Sequence, residues 1–447
     1  MIHFGKIIQT VLICGVLIGQ NHTVNAEDLI EIYKIAEQND PQFAAVSASV
    51  MAIREQRIQA RAGLLPNVSF DANTTYNSQD IATESGFGVT GDVDFNSRGY
   101  HLKMKQPLFR YDRWLMLKQS DHRISRSEAE LEAAYQQLIL RVAERYFGVL
   151  TARDNLGFSR AEKVALKRQF DQTSMRYDAG FIAETDVQEA KAAYNNSMAQ
   201  EILAENDLEN AREAMREIIG AYDVELDGVK KEISLINPNP SDVTEWTAFA
   251  LESNPELIMA EADITISGEE IGIQKAGHLP SLDLIASTGR DIQGGRFGST
   301  DTDATSAGLQ LSIPLYTGGL VSSKTNEAQY RHQQTQSLYE QQKRAIFRET
   351  RDAFLGIKSG ISRVKALALS VESSISAQKA TLAGFEAGTR TTVDVVAAER
   401  ELFRSRRDYS SARYDYILSI LRLQKATGLL VPTDLKMVNS WLENGES

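Results

Sequence analysis

Apolar positions along the chain follow two different periods. Tyr135, Ile139, Val142, Tyr146, Val149 and Leu156 recur at steps of four and three, with Arg153 as the one gap. That is the heptad-like spacing of helices packed lengthwise. Val68, Phe70, Ala72, Thr74 and Tyr76 instead alternate with polar neighbours, as do Tyr100, Leu102 and Met104 with His101, Lys103 and Lys105. The same alternation returns in Leu282, Leu284, Ala286 and Thr288, then in Ala307, Leu309, Leu311 and Ile313. Period two with one polar face predicts strands at about 67–77, 98–107, 281–290 and 305–314. The Gly/Asp/Ser-rich stretches 78–98 and 291–305 read as the loops joining each pair.

Proline placement frames the helices. The nine prolines fall at 41, 66, 107, 238, 240, 255, 280, 314 and 432, which leaves 108–237 and 315–431 free of them. Both stretches are rich in Ala, Glu, Gln, Arg and Leu, strong helix formers with the commonest breaker removed. A continuous helix from Asp112 to Asp178 would be roughly 100 Å long at 1.5 Å per residue. The return limb from Thr185 to Gly220 has about half that length. The helix predicted from Asp28 to Gly63, or from Val243 to Gly277, fits the missing half. Each unit therefore reads as one long helix beside two shorter ones stacked end to end.

The units repeat. Pro41 precedes Pro66 as Pro255 precedes Pro280, and Gln106-Pro107-Leu108-Phe109 echoes Ile313-Pro314-Leu315-Tyr316. Tyr177-Asp178-Ala179-Gly180 aligns with Phe385-Glu386-Ala387-Gly388, Asp186 with Asp394, and Gly220 with Gly428, each pair 208 residues apart. Landmarks in one order at nearly constant offset make the chain a tandem duplication of large units. The repeats are placed at 27–220 and 243–428, with a linker at 221–242 and a tail at 429–447.

The first 26 residues read as an export signal. Lys6 gives a positive start, Ile7 to Ile18 is an apolar stretch too short to span a bilayer, and Val24-Asn25-Ala26 offers a small-residue cleavage site. Cys14, the single cysteine, lies within it behind bulky Ile13, which argues against a lipid anchor and leaves the mature chain free of disulfides. No later stretch approaches 18 apolar residues, so membrane insertion would have to come from the alternating strands. Four strands cannot close a barrel, and each unpaired edge group in lipid costs several kcal/mol, so the strand count demands oligomerisation. The formal charge is −12, from 48 Lys+Arg and 60 Asp+Glu, without the clustered cations a nucleic-acid binder needs.

The duplicated unit, the proline-flanked strand pairs and Gly388-Thr389-Arg390-Thr391-Thr392-Val393-Asp394-Val395 resemble the TolC family of outer-membrane efflux proteins, closest to its type I secretion branch. The resemblance implies an α+β membrane protein in the outer membrane of a Gram-negative bacterium. Its form would be a homotrimer whose twelve-stranded β-barrel, four strands per chain, continues into a long periplasmic α-helical barrel. The implied task is passive conduction of small molecules or secreted proteins, without catalysis or cofactor. The implied partners are a periplasmic adaptor, an inner-membrane transporter driven by ATP or protons, and outer-membrane lipid. At the periplasmic tip, Arg390 would link to Thr185 and Asp186 of a neighbouring hairpin, and Asp394 would form an acidic ring in the pore. Phe385 stands where the family has a hydrogen-bonding tyrosine, and Ala397 where it has a second aspartate.

The same residues have a purely structural reading: Gly180 and Gly388 as turns, Thr185 with Gln188 as a capping box, and Asp394 as an acid at a helix start. Other signals carry no chemistry. Gly86-Phe87-Gly88-Val89-Thr90-Gly91 matches GxGxxG but opens no helix, and His101, His122, His278 and His332 lack metal-ligand spacing. The competing function is a periplasmic coiled-coil adaptor or spacer with no membrane barrel. The acidic balance and Asp394 near the tip predict a preference for cations.

Overall fold

In a computed structural model, residues 27–81, 91–221, 224–295 and 298–443 are described. The expected signal segment, residues 86–90 of the glycine pattern and the last four residues fall outside them. Gly91 itself opens a strand.

Each half begins with two helices, α1 (Leu29–Asn39) and α2 (Pro41–Ala62) in the first, α5 (Val243–Ser253) and α6 (Pro255–Lys275) in the second. The single opening helix expected in each unit is therefore broken, and the cause is local. A residue before proline is pushed out of the helical region, and Asp40 and Asn254 have ψ of 115° and 120°. Each then caps the next helix: Asp40 accepts from the backbone of Gln42 (2.7 Å) and Phe43 (3.0 Å), and Asn254 from that of Glu256 (2.9 Å). Such a cap contributes about 0.5–2 kcal/mol. Asp40 is almost wholly buried and is also paired with Arg141.

The long helices α3 (Tyr111–Asp178) and α7 (Leu320–Glu386) turn back into α4 (Glu184–Ile219) and α8 (Thr392–Ala426). Along α3, α4 packs on one half while α2 and α6 pack on the other; α7 is flanked by α8 and by α5 and α6. The heptad stripe is the buried one, with Ile139, Val142 and Tyr146 at most 1% exposed. These residues belong to the main core, where α1, α3, α4, α7 and α8 meet the short α9 (Pro432–Asn439). Backbone from the linker threads this level. The Tyr146 hydroxyl donates to the carbonyl of Asp227 (2.9 Å), Arg413 to those of Lys230 and Lys231, and Tyr416 to that of Ile236. Asn439 bonds both the backbone of Leu29 and the side chain of Asp28, closing the chain's two ends together.

Beyond the helices lies one antiparallel sheet in the order β1 (Asn67–Ile81), β2 (Gly91–Phe109), β3 (Ser281–Gln293), β4 (Thr300–Ser312). The β2–β3 pairing joins the two repeats edge to edge. The register sets Phe70 opposite Leu102, Met104 opposite Ala286, Leu284 opposite Leu309 and Leu282 opposite Leu311, so the alternating apolar positions read from the sequence share one face, while Val93, Phe95 and Ile285 fall on the other. The other face carries Asp71–Lys103 (3.2 Å) and Lys105–Asp283 (2.9 Å). The strands outrun the sequence reading because their far ends, Gln79↔Val93 and Asp291↔Thr302, keep ladder pairing after the alternation lapses. Among the described residues no helix is long and apolar enough to cross a membrane. Among the described residues β1 and β4 each leave one edge unpaired.

Candidate functional site

At the end opposite the sheet, the two helical hairpins turn on the same backbone device. Gly180 and Gly388 take φ of +80° and +75°, a left-handed conformation that glycine adopts without a Cβ penalty. Phe181 then donates to the Arg176 carbonyl (2.9 Å) and Gly180 to that of Tyr177 (2.8 Å); Thr389 donates to Gly384 (2.8 Å) and Gly388 to Phe385 (3.1 Å). This double bond pattern satisfies the last carbonyls of α3 and α7. Leu166, Ala193 and Val396 form a small apolar cluster nearby that ties α3, α4 and α8 together.

The helix starts differ. Thr391 caps α8: its hydroxyl accepts from the Asp394 amide (3.3 Å), and the Asp394 carboxylate accepts from the Thr391 amide (2.9 Å) and hydroxyl (3.0 Å). The Thr391 backbone bond, then its hydroxyl bond, with a smaller contribution from the Arg390 charge, hold the Asp394 carboxyl below the ordinary aspartate range. On α4 the expected Thr185–Gln188 capping box is absent. The helix begins two residues earlier than that box requires, at Glu184, so the cap position falls to Ala183, which has no side-chain acceptor. Thr185 is left exposed in the first turn beside half-exposed Asp186.

The second turn is crowded where the first is open. Arg390 is exposed, yet its backbone folds onto α7, with its amide 3.2 Å from the Gly384 carbonyl. A Cβ on Gly384 would lie 2.7 Å from the Arg390 Cγ, so only glycine leaves room for that side chain. Among the described residues the Arg390 guanidinium bonds neither Thr185 nor Asp186 of its own chain. Phe385 is 5% exposed, covered by Arg176 of α3, whose guanidinium carbon stands 4.4 Å from the ring centre. Arg176 also donates to the Phe385 carbonyl (3.4 Å). Sequence reasoning missed both Arg176 and Gly384. A basic residue in a last helical turn reads as a partner for the helix dipole, and a glycine there as a weak spot.

An open sheet with one apolar face, standing on two long helical hairpins with matched turns, is the arrangement against which known proteins can be compared. The chain matches the outer membrane efflux protein family over residues 32–221 and again over 246–429. It belongs to that family. Outer membrane protein TolC of Vibrio cholerae is 34% identical over 423 residues, covering 94% of each chain. The alkaline protease secretion protein AprF of Pseudomonas aeruginosa is 29% identical over 427 residues, 94% of this chain and 88% of that one. The Campylobacter jejuni CmeC outer membrane channel shares the fold at a TM-score of 0.79, with 18% identity over 90% of this chain and 86% of that chain.

The family is one of channel proteins, so this chain is an outer-membrane exit duct with a TolC-like α+β fold of two tandem repeats. The spacer reading falls with that match.

Proposed function

We propose that three copies of this chain close their sheets into one twelve-stranded barrel, with the helices continuing as a periplasmic tunnel. The observation that carries this reading is the pair of edges left free on β1 and β4 among the described residues, on a sheet whose regularly alternating apolar positions share one face. Lipid cannot hydrogen-bond those edges, and pairing β4 of one copy with β1 of the next satisfies both. The duct receives cargo from an inner-membrane transporter, ATP- or proton-driven, through a periplasmic adaptor, and passes small molecules or secreted proteins outward without catalysis. The likeness to a protease secretion protein supports the type I secretion branch. The 1–26 segment is removed on export.

The hairpin tips close the tunnel at rest. Arg390 of one copy reaches Thr185 and Asp186 of its neighbour, which agrees with its exposed guanidinium and with the lack of any such bond inside one chain. The Asp394 carboxylates ring the opening. Exposed ion pairs are worth about 0.2–1 kcal/mol each, weak enough for an adaptor to break. Single-channel conductance of the purified trimer in a planar bilayer tests the reading. Wild type gives small steps and Arg390→Ala several-fold larger ones. Steps unchanged by the substitution would keep the duct and reject this lock, and a water-soluble protein without conductance would bring down the barrel.

A further inference from the structure

The two turns share one backbone, and their side chains are not equivalent. Tyr177 and Phe385 hold the same position in the two repeats, 208 residues apart, yet Tyr177 is 41% exposed and Phe385 only 5%. What covers Phe385 is a side chain from the other hairpin. Arg176, in the last turn of α3, lies with its guanidinium 4.4 Å from the ring centre and donates to the Phe385 carbonyl at 3.4 Å. At the position matching Arg176 the second repeat has Gly384, so no reciprocal arm runs from α7 back to Tyr177.

We propose that Arg176 is an intrachain latch of the duct: it clamps the end of α7 to the end of α3 and thereby sets the resting position of the second hairpin. The proposal rests on reading the tip as the gate. Two contacts of different chemistry meet in one side chain. The cation lies over the negative face of the ring, and the same group donates to a carbonyl in the last turn of α7, the negative end of that helix. Swinging α7–α8 away from α3–α4 draws Phe385 out from under Arg176, breaking both contacts and exposing an apolar ring. Arg390, past the same turn, is exposed, free to reach a neighbour. The closed tip then depends on two links in series: Arg176 holds the hairpins of one chain together, and Arg390 holds chains to each other.

The test is single-channel conductance of the full-length trimer, with heat resistance of the trimer followed for every variant. Arg176→Met keeps the length of the side chain and removes both contacts; it is expected to raise conductance several-fold with the trimer intact. Phe385→Leu removes the ring but leaves the carbonyl, giving a smaller rise, and Arg176→Lys, which keeps a cation over the ring, falls between wild type and Arg176→Met. The double variant Arg176→Met/Phe385→Leu conducts no more than Arg176→Met alone, because the ring acts through the arginine. Tyr177→Leu, at the exposed equivalent, stays at the wild-type level. Wild-type conductance in Arg176→Met while Arg390→Ala opens the channel would overturn the latch and leave the gate standing. If Arg176→Met opens and Arg390→Ala does not, the latch stands and the lock between chains falls. No change in either variant rejects both. Additive effects of Arg176→Met and Phe385→Leu, or loss of the trimer in Arg176→Met, would likewise reject the latch, showing independent or merely structural roles.

Discussion

At Gly384 one missing methyl group sets how closely Arg390, the proposed lock, can pack against the end of α7. The glycine lies in the last turn of α7, where alanine would ordinarily strengthen the helix by about 0.5–1 kcal/mol. Here the added Cβ would sit 2.7 Å from Arg390 Cγ, a part of the side chain too close to the backbone to swing clear. Gly384→Ala is therefore expected to leave the melting temperature of the trimer unchanged or slightly lowered, the clash offsetting the helix gain, while conductance rises toward that of Arg390→Ala. A variant with wild-type conductance would show that Arg390 needs no berth on α7. Little of this was legible in the residues alone. The GTR and VDV stretch identifies Arg390 and Asp394, and the reciprocal Thr391–Asp394 cap agrees with an acid at a helix start. The Arg176–Phe385 contact joins residues 209 positions apart and depends on how two hairpins lean together, which neither local pattern contains.

Among the elements, legibility followed periodicity. The heptad stripe of α3 and the alternation of the four strands are both written in the sequence, because each records one face turned toward a neighbour and one turned away. The helix breaks at Asp40 and Asn254 were visible only as prolines, and reading them as breaks needed the further step that the preceding residue cannot stay helical. The distal strand ends, rich in Asp, Ser and Thr, lose the apolar phase of the proximal ends, with Val93 and Phe95 turned to the other face, so their partners reveal them. Glycines divide in the same way. Gly180 and Gly428 both have positive φ, +80° and +76°, and both end a long helical limb. Nothing lies near a Cβ built on Gly180, whereas one on Gly428 would press into the backbone of Ser253 and come within 2.7 Å of Asn254 Cα, at the break between α5 and α6. Gly180→Ala carries only the left-handed strain of about 1–2 kcal/mol. Gly428→Ala adds about 1–3 kcal/mol for the enforced backbone shift. Thermal melting of the two variants side by side should place Gly428→Ala clearly lower, and equal melting points would mean that the α5–α6 break yields freely.

For the whole molecule, charge poses the question of which part of a long duct decides what ions pass. The chain carries −12 overall, but its charges are spread along helices roughly 100 Å long at 1.5 Å per helical residue. At physiological ionic strength the field of each fades over about 8 Å. Acids far from the narrowest point, and acids paired as Glu162 is with Arg407 or Glu201 with Lys163, contribute little to selection. In the closed tip proposed above, three copies of Asp394 would meet within one small opening, where their fields would overlap. One carboxylate oxygen is spent on the Thr391 cap, while the charge itself remains. Asp394→Asn changes the formal charge of the chain by a single unit, yet it is expected to remove most of the cation preference. Reversal potentials in a sodium chloride gradient measure this directly. The Thr391 bonds hold the Asp394 carboxyl below the ordinary value of about 4 while like charges across a ring would push it back up, so the wild-type preference should hold at pH 7 and fade as acid protonates the ring. Equal sodium and chloride permeability in wild type would end the argument for an acidic ring. A preference that survives Asp394→Asn intact would assign it to acids distributed along the tunnel wall.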